Sequence, residues 1–220
     1  MVNNDINNEI PRQCLTIGRI APDFTAITTE GTITLSQYRG KWVMFFSHPG
    51  DFTPVCTSEF ISFAQLNPEF EKRNVQLLGI SIDSNPAHIG WLYNILQITG
   101  LKMPFPLIAD RDAYVSELYG MVNPDIIDPN QRIRAILIYP ATNGRNIYEL
   151  LRLIDALQVS TTYGVNTPAN WMPGDPVLVP DPRTFDEAII RGTDPEALEL
   201  NCLAWYYCFK DMSELTPINT

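Results

Sequence analysis

Cysteine is scarce in this chain, with four residues in 220 at Cys14, Cys56, Cys202 and Cys208. They are too few and too scattered for the disulfide framework of a small secreted protein. The C-x5-C spacing of Cys202 and Cys208 has no second ligand pair nearby, which argues against a zinc site. No apolar run approaches the length of a membrane span, and the opening MVNNDINNEIPRQ lacks the charged and then apolar layout of a signal peptide. A cytoplasmic location is the expectation. Positive charge is also low, 15 Lys and Arg against 25 Asp and Glu for a net charge of −10, so neither nucleic acid nor an anionic membrane is an expected partner. There is no internal repeat and no low-complexity tract.

What remains is a globular composition, 45% hydrophobic with 10 Phe, 9 Tyr and 4 Trp. Lys41–Ser47 (KWVMFFS) and Val75–Ile82 (VQLLGISI) read as buried strands. Between them, Pro54–Arg73 carries Phe60, Phe63, Leu66 and Phe70 at helical spacing, with Pro68 expected to kink it. Pro86–Thr99 reads as a second helix ending at Gly100, Ala113–Tyr119 as a third, Ile133–Tyr139 as a strand and Asn146–Val159 as an amphipathic fourth helix. This order predicts an α/β class, a thioredoxin-like mixed sheet flanked by helices, over residues 15–160. From 161 to 220 an extended C-terminal arm is expected, because Pro168, Pro173, Pro176, Pro180 and Pro182 exclude a helix or central strand. That arm holds nine acidic and three basic residues from Pro168 on, yet also Trp171, Phe185, Leu203, Trp205, Tyr206, Tyr207 and Phe209. So many aromatics favour packing against a partner subunit over disorder.

The chemistry concentrates where the first strand meets the first helix, in SHPGDFTPVCTSE (Ser47–Glu59). A cysteine in the first turn of a helix faces unsatisfied N–H groups and the positive end of the macrodipole, which favour thiolate over thiol. Thr53 can cap the helix or turn its hydroxyl toward Cys56, and Pro49 and Pro54 stiffen the backbone on either side. His48 can donate a hydrogen bond to substrate or serve only as pocket wall. His88 is expected at the surface, and Glu59, one turn beyond Cys56, can pair with Arg145 or another arginine or stand as an exposed helical carboxylate.

The pattern P-x-x-x-T-x-x-C, here Pro49, Thr53 and Cys56, resembles the peroxiredoxin active-site motif. APDF (Ala21–Phe24), GISIDS (Gly79–Ser84), FPLIADRD (Phe105–Asp112) and YPATNGRN (Tyr139–Asn146) extend the likeness over most of residues 15–160. NWMPGDPVLVP and CLAWYYC resemble the C-terminal domain of the long-arm subfamily, of archaeal and bacterial type. The resemblance implies a cofactor-free enzyme that reduces hydrogen peroxide and small organic hydroperoxides through a Cys56 sulfenic acid. It implies that Thr53 contacts the reacting oxygens, Pro49 screens the sulfur, Arg145 polarises the peroxide and His48 adjoins them. It further implies that Cys208 resolves the sulfenate of a neighbouring subunit, with Cys202 as an alternate partner, and that a thioredoxin-like dithiol recycles the disulfide. A homodimer assembling into a ring-shaped decamer is the implied assembly. Cys14 has no assigned role.

One departure stands out. The family pattern has, after LYGM, a strand carrying a second active-site arginine. Here Tyr119–Met121 are followed by VNPDIIDPNQRIRAILIYP, in which Ile126, Ile127 and Asp128 match only the end of that strand. Neither Arg132 nor Arg134 is a residue-for-residue replacement, although an inward swing of either would supply a cation. An oligomeric holdase or scaffold, or a redox sensor with weakened peroxidase activity, is therefore the alternative reading.

Overall fold

Among the described residues the first strands form a hairpin, with β1 (Thr25–Thr28) antiparallel to β2 (Gly31–Thr34). The computed structural model describes residues 16–120, 125–215 and 217, and the first of two compact units extends to Ile147. In it β3 (Trp42–Ser47), α1 (Pro54–Lys72) and β4 (Val75–Ser81) fall within one residue of their expected bounds. The helix α1 runs on through Pro68. Ser84 caps α2 (Asn85–Thr99) by accepting from the Ala87 N–H at 3.3 Å, and Gly100 ends it at φ 73, a conformation that suits a residue without Cβ. There follow β5 (Leu107–Ala109), α3 (Tyr114–Leu118), β6 (Asp125–Ile127) and β7 (Ile133–Ile136), the last shorter than expected.

These strands form one mixed sheet in the order β2-β1-β5-β4-β3-β6-β7, the thioredoxin-like arrangement. Its β3–β4 and β4–β5 pairs are parallel and the others antiparallel. Alternation along β3 sends Phe45 and Phe46 to opposite faces. Phe45 joins Phe24, Leu78, Ile80, Ile127 and Ile133 in one core cluster. Phe46 stacks on Phe63 of α1 at 4.4 Å between centroids. Gly79 keeps the sheet bare beneath α1, since a Cβ there would lie 2.9 Å from Leu107 and 3.3 Å from Phe60. The Phe60–Phe63–Phe70 face is fully buried and anchors the helix along its middle and C-terminal turns.

The second unit starts at Tyr148 and takes nearly all of α4 (Ile147–Tyr163). Its core gathers Ala156, Val165, Trp171 and Val177, and the Trp171 indole donates to the Asp175 carbonyl at 2.9 Å. The proline-rich stretch holds no helix, but it is not simply extended: turns closed by the Trp171 N–H on the Pro168 carbonyl and the Asp175 N–H on the Met172 carbonyl precede the two residues of β8 (Val177–Leu178). Beyond it come α5 (Phe185–Thr193) and a hairpin of β9 (Asn201–Ala204) and β10 (Tyr207–Lys210), with β10 also pairing with β8. Thr184 caps α5 by accepting from the Glu187 N–H at 3.1 Å, while Glu187 accepts from the Arg183 N–H at 2.9 Å. The run Thr184-Phe-Asp-Glu187 is a helix start legible in sequence, although Glu187 takes the N–H of Arg183 and not that of the cap residue itself. Phe185, Leu203, Trp205 and Tyr206 remain exposed on this unit.

Candidate active site

Between the end of β3 at Ser47 and the start of α1 at Pro54 lies the loop that aims Cys56. Thr53 occupies the helix N-cap with extended backbone, Pro54 takes the first helical position, and Cys56 sits in the first turn, buried and free of any disulfide. The loop turns sharply: Phe52 adopts φ 58, a left-handed conformation that costs a residue with a side chain ~1–2 kcal/mol. Thr53 ties that turn by donating its hydroxyl to the Gly50 carbonyl at 2.9 Å, so it does not cap the helix. Its carbonyl accepts from the Thr57 N–H at 3.0 Å and the Thr57 hydroxyl at 2.7 Å.

Arg145 closes the site from the loop after β7. Its Nε donates to Glu59 at 2.9 Å, a terminal nitrogen donates to the other Glu59 oxygen at 2.5 Å, and its backbone N–H donates to Glu59 at 2.7 Å. A further guanidinium nitrogen reaches the Ser47 carbonyl at 3.3 Å. Both side chains are over nine-tenths buried, and the guanidinium lies over the Phe46 ring at 5.4 Å. Glu59, at i+3 from Cys56 on the same helix face, thus holds the arginine beside the thiol. A pocket of about 50 Å³ is lined by Cys56, Pro49, Glu59, Arg145, Val55 and Tyr139, among others. That is room for a few water-sized molecules, which suits a peroxide group. Arg145 is the one cation among the described residues that line it.

His48 and His88 converge on Asp51, a residue the sequence reading passed over. His48 Nε2 lies 3.0 Å from Asp51 Oδ1, and His88 Nδ1 lies 2.8 Å from Asp51 Oδ2. The structure corrects the surface placement of His88, which is fully buried with Nε2 at 3.1 Å from the Ile108 carbonyl. The apolar side of α2 turns inward there, taking Trp91 and Ile95 with it. Burial pushes the Asp51 carboxyl up, but the hydrogen bonds from His48 and His88 outweigh it and hold the group below the ordinary aspartate range. The Asp51 N–H donates to Asp83 at 3.0 Å, and the Ser81 hydroxyl donates to the same oxygen at 2.7 Å. His48, Asp51 and Asp83 lie close together, and Asp51 joins the other two through hydrogen bonds.

Strand β6 pairs with Val43, Met44 and Phe45 only, so Phe46 and Ser47, which lead into the site, have no β6 partner among the described residues. Residues 121–124 lie outside the described residues. Arg132 donates to the Gly18 carbonyl at 3.0 Å, and Arg134 pairs with Asp128 at 3.2 Å and lies over Trp42. Neither lines the Cys56 pocket. In the second unit Cys202 and Cys208 face each other across β9 and β10 and are joined in a disulfide. Cys14 lies outside the described residues.

Residues 17–142 match the AhpC/TSA family, and residues 156–191 match the C-terminal domain of 1-Cys peroxiredoxin. A protein named peroxiredoxin 2 from Caldanaerobacter subterraneus subsp. tengcongensis is 52% identical over 213 residues, covering 91% of this chain and 96% of its own. A peroxiredoxin of Aquifex aeolicus is 43% identical over 216 residues, 88% of this chain and 96% of its own. Among solved structures, a yeast mitochondrial 1-Cys peroxiredoxin, described for its thiol resolving mechanism via glutathione/thioredoxin systems, superposes with a TM-score of 0.80 at 38% identity. It covers 90% of this chain and 99% of its own. Reduced Plasmodium vivax 2-Cys peroxiredoxin gives a TM-score of 0.69 at 32% identity over 74% of this chain and 92% of its own.

Proposed function

Because the chain belongs to the AhpC/TSA family of peroxiredoxins, which are thiol peroxidases, we propose that Cys56 is the residue that attacks peroxide. The observation that carries this reading is a buried free thiol in the first turn of α1, in a small pocket shared with Arg145. The sulfur electron pair forms a bond to the terminal peroxide oxygen, and the O–O bond breaks. Water or alcohol leaves after taking a proton from solvent, and Cys56 becomes a sulfenic acid. The helix N-terminus favours the thiolate, and Arg145 supplies charged donors for the oxygens. Pro49 screens the sulfur, the Thr53 hydroxyl oxygen remains open as an acceptor, and His48 packs behind the loop.

The two cysteines of the hairpin complete the cycle. Cys208 attacks the Cys56 sulfenic acid of a partner subunit, releasing water and forming a Cys56–Cys208 disulfide. Cys202 then displaces the Cys56 thiolate, and the product is a Cys202–Cys208 disulfide, the pair joined in the structure. A dithiol reductant of thioredoxin type restores both thiols. We assign residues 15–160 to the peroxidase domain and 161–220 to the arm, which the exposed Phe185, Leu203, Trp205 and Tyr206 equip to bury against a second subunit. A homodimer, built into a decameric ring in the cytoplasm, is the proposed setting. Peroxide consumption by the purified protein with a dithiol reductant tests the reading. It should vanish in Cys56→Ser, and turnover by that variant equal to the parent would refute it. A folded oligomer without turnover would favour the holdase reading.

A further inference from the structure

Among the described residues neither ring nitrogen of His88 faces a donor. Nε2 lies 3.1 Å from the Ile108 carbonyl oxygen, which can only accept. Nδ1 lies 2.8 Å and 3.1 Å from the two carboxylate oxygens of Asp51, and an ionised carboxylate also only accepts. The ring is fully buried, so water does not intervene. For both contacts to be hydrogen bonds, both nitrogens must carry hydrogen, which makes His88 an imidazolium matched to the Asp51 carboxylate.

His48 is placed differently. Its Nε2 faces Asp51 at 3.0 Å and must donate, whereas its Nδ1 is buried with no partner among the described residues. A proton on that nitrogen would be a buried charged N–H without an acceptor, an arrangement that burial strongly disfavours. His48 is therefore the neutral ring, with hydrogen on Nε2 and a bare lone pair on Nδ1. The Trp91 and Phe60 rings flank it at 5.1 and 5.0 Å, and Asp83 holds the Asp51 backbone from the β4 side.

We propose that His88 is a positioning residue for peroxide reduction: as the doubly protonated partner of Asp51 it pins the 48–53 loop and sets the tautomer of His48. The inference rests on Cys56 being the attacking thiol, but it concerns the elements that hold the loop. It gives α2 a role in the site through one side chain, and it leaves the buried lone pair of His48 Nδ1 without a proton.

The chain has only two histidines, so a long-range ¹H–¹⁵N spectrum of the reduced, full-length protein at neutral pH contains two ring systems. One should show both nitrogens protonated, and the other one protonated Nε2 and one bare Nδ1. His88→Gln places an amide near the former Nε2 and abandons Asp51. It should mix the His48 tautomers and slow Cys56 oxidation on the order of tenfold to a hundredfold, the scale of a misplaced reacting group. His88→Asn, whose amide nitrogen falls near the former Nδ1, should restore most of both. Two neutral rings in the parent would overturn the proposal, as would His88→Gln with an unchanged His48 signature and rate. If His88→Gln fails to fold, the parent spectrum still decides. An inactive Cys56 would leave that spectrum unaltered, so failure of the enzymatic reading and failure of this one are separable.

Discussion

Replacing Arg145 by lysine keeps the charge and removes the fork, which isolates what the guanidinium does. In the parent, three side-chain contacts leave Arg145, two to Glu59 and one to the Ser47 carbonyl. An ammonium on a flexible stem reaches one Glu59 oxygen and gives up the bidentate geometry. Hydrogen bonds involving a charged group contribute about 1.5–3 kcal/mol each, so a loss of about 2–4 kcal/mol of stability is expected after partial re-pairing. For a chain of this length that corresponds to roughly 5–15 °C in Tm. Because Glu59 stays paired, the larger penalty of an uncompensated buried charge is avoided. The rate suffers separately. One lost charged donor to the reacting oxygens is worth about 2–4 kcal/mol by analogy with oxyanion-hole donors, on the order of a hundredfold. Stopped-flow tryptophan fluorescence measures Cys56 oxidation directly, and Trp91, packed near His48, is a suitable reporter. Oxidation of Arg145→Lys within about twofold of the parent rate would refute the role given to the guanidinium. The same assay on Arg132→Ala and Arg134→Ala should show parent rates, since both arginines are engaged away from the pocket.

Mild peroxide should produce a covalent dimer on non-reducing gels most visibly in Cys202→Ser, where the mixed disulfide has no exchange partner. Cys208→Ser should show none. Gly79→Ala should cost about 1–3 kcal/mol in denaturant unfolding, the range for overpacking, because its Cβ would press on Leu107 and Phe60. Asp51 has a folded-state pKa below its ordinary 3.8. The stability it contributes is thus complete above that value and is lost as pH falls through the lower, folded one. Acid unfolding followed by circular dichroism should be less steep in that window for Asp51→Asn; an unchanged profile would contradict the reading of its two histidine contacts.

Much of the fold was legible because its signals are local. The apolar run of β3 and the three-and-four spacing of Phe60, Phe63 and Phe70 put the strand–helix junction in place, and the junction put Cys56 in the first turn. Glu59 at i+3 from Cys56 was legible as a carboxylate on the cysteine's helix face, but that Arg145 and not another arginine meets it was not. What the sequence concealed depends on long-range approach. His88 stands at the polar-looking start of α2, and only the β3–β4–β5 neighbourhood reveals that it is enclosed beside Ile108. Asp51 reads as a loop residue until His48, His88 and Asp83 surround it. The turn at Phe52 has no signal either, since a bulky residue is a poor marker for positive φ. In the second unit the prolines suppressed the reading of structure beyond them, although Thr184 and Glu187 carried a helix start.

The central claim is that Cys56 is the thiol oxidised by peroxide. Reduced protein treated with a single equivalent of hydrogen peroxide in the presence of dimedone, then digested and mapped by mass spectrometry, tests it most directly. The account predicts the sulfenic-acid adduct on Cys56 and none on Cys14, Cys202 or Cys208. An adduct on one of those three with Cys56 unmodified would contradict it.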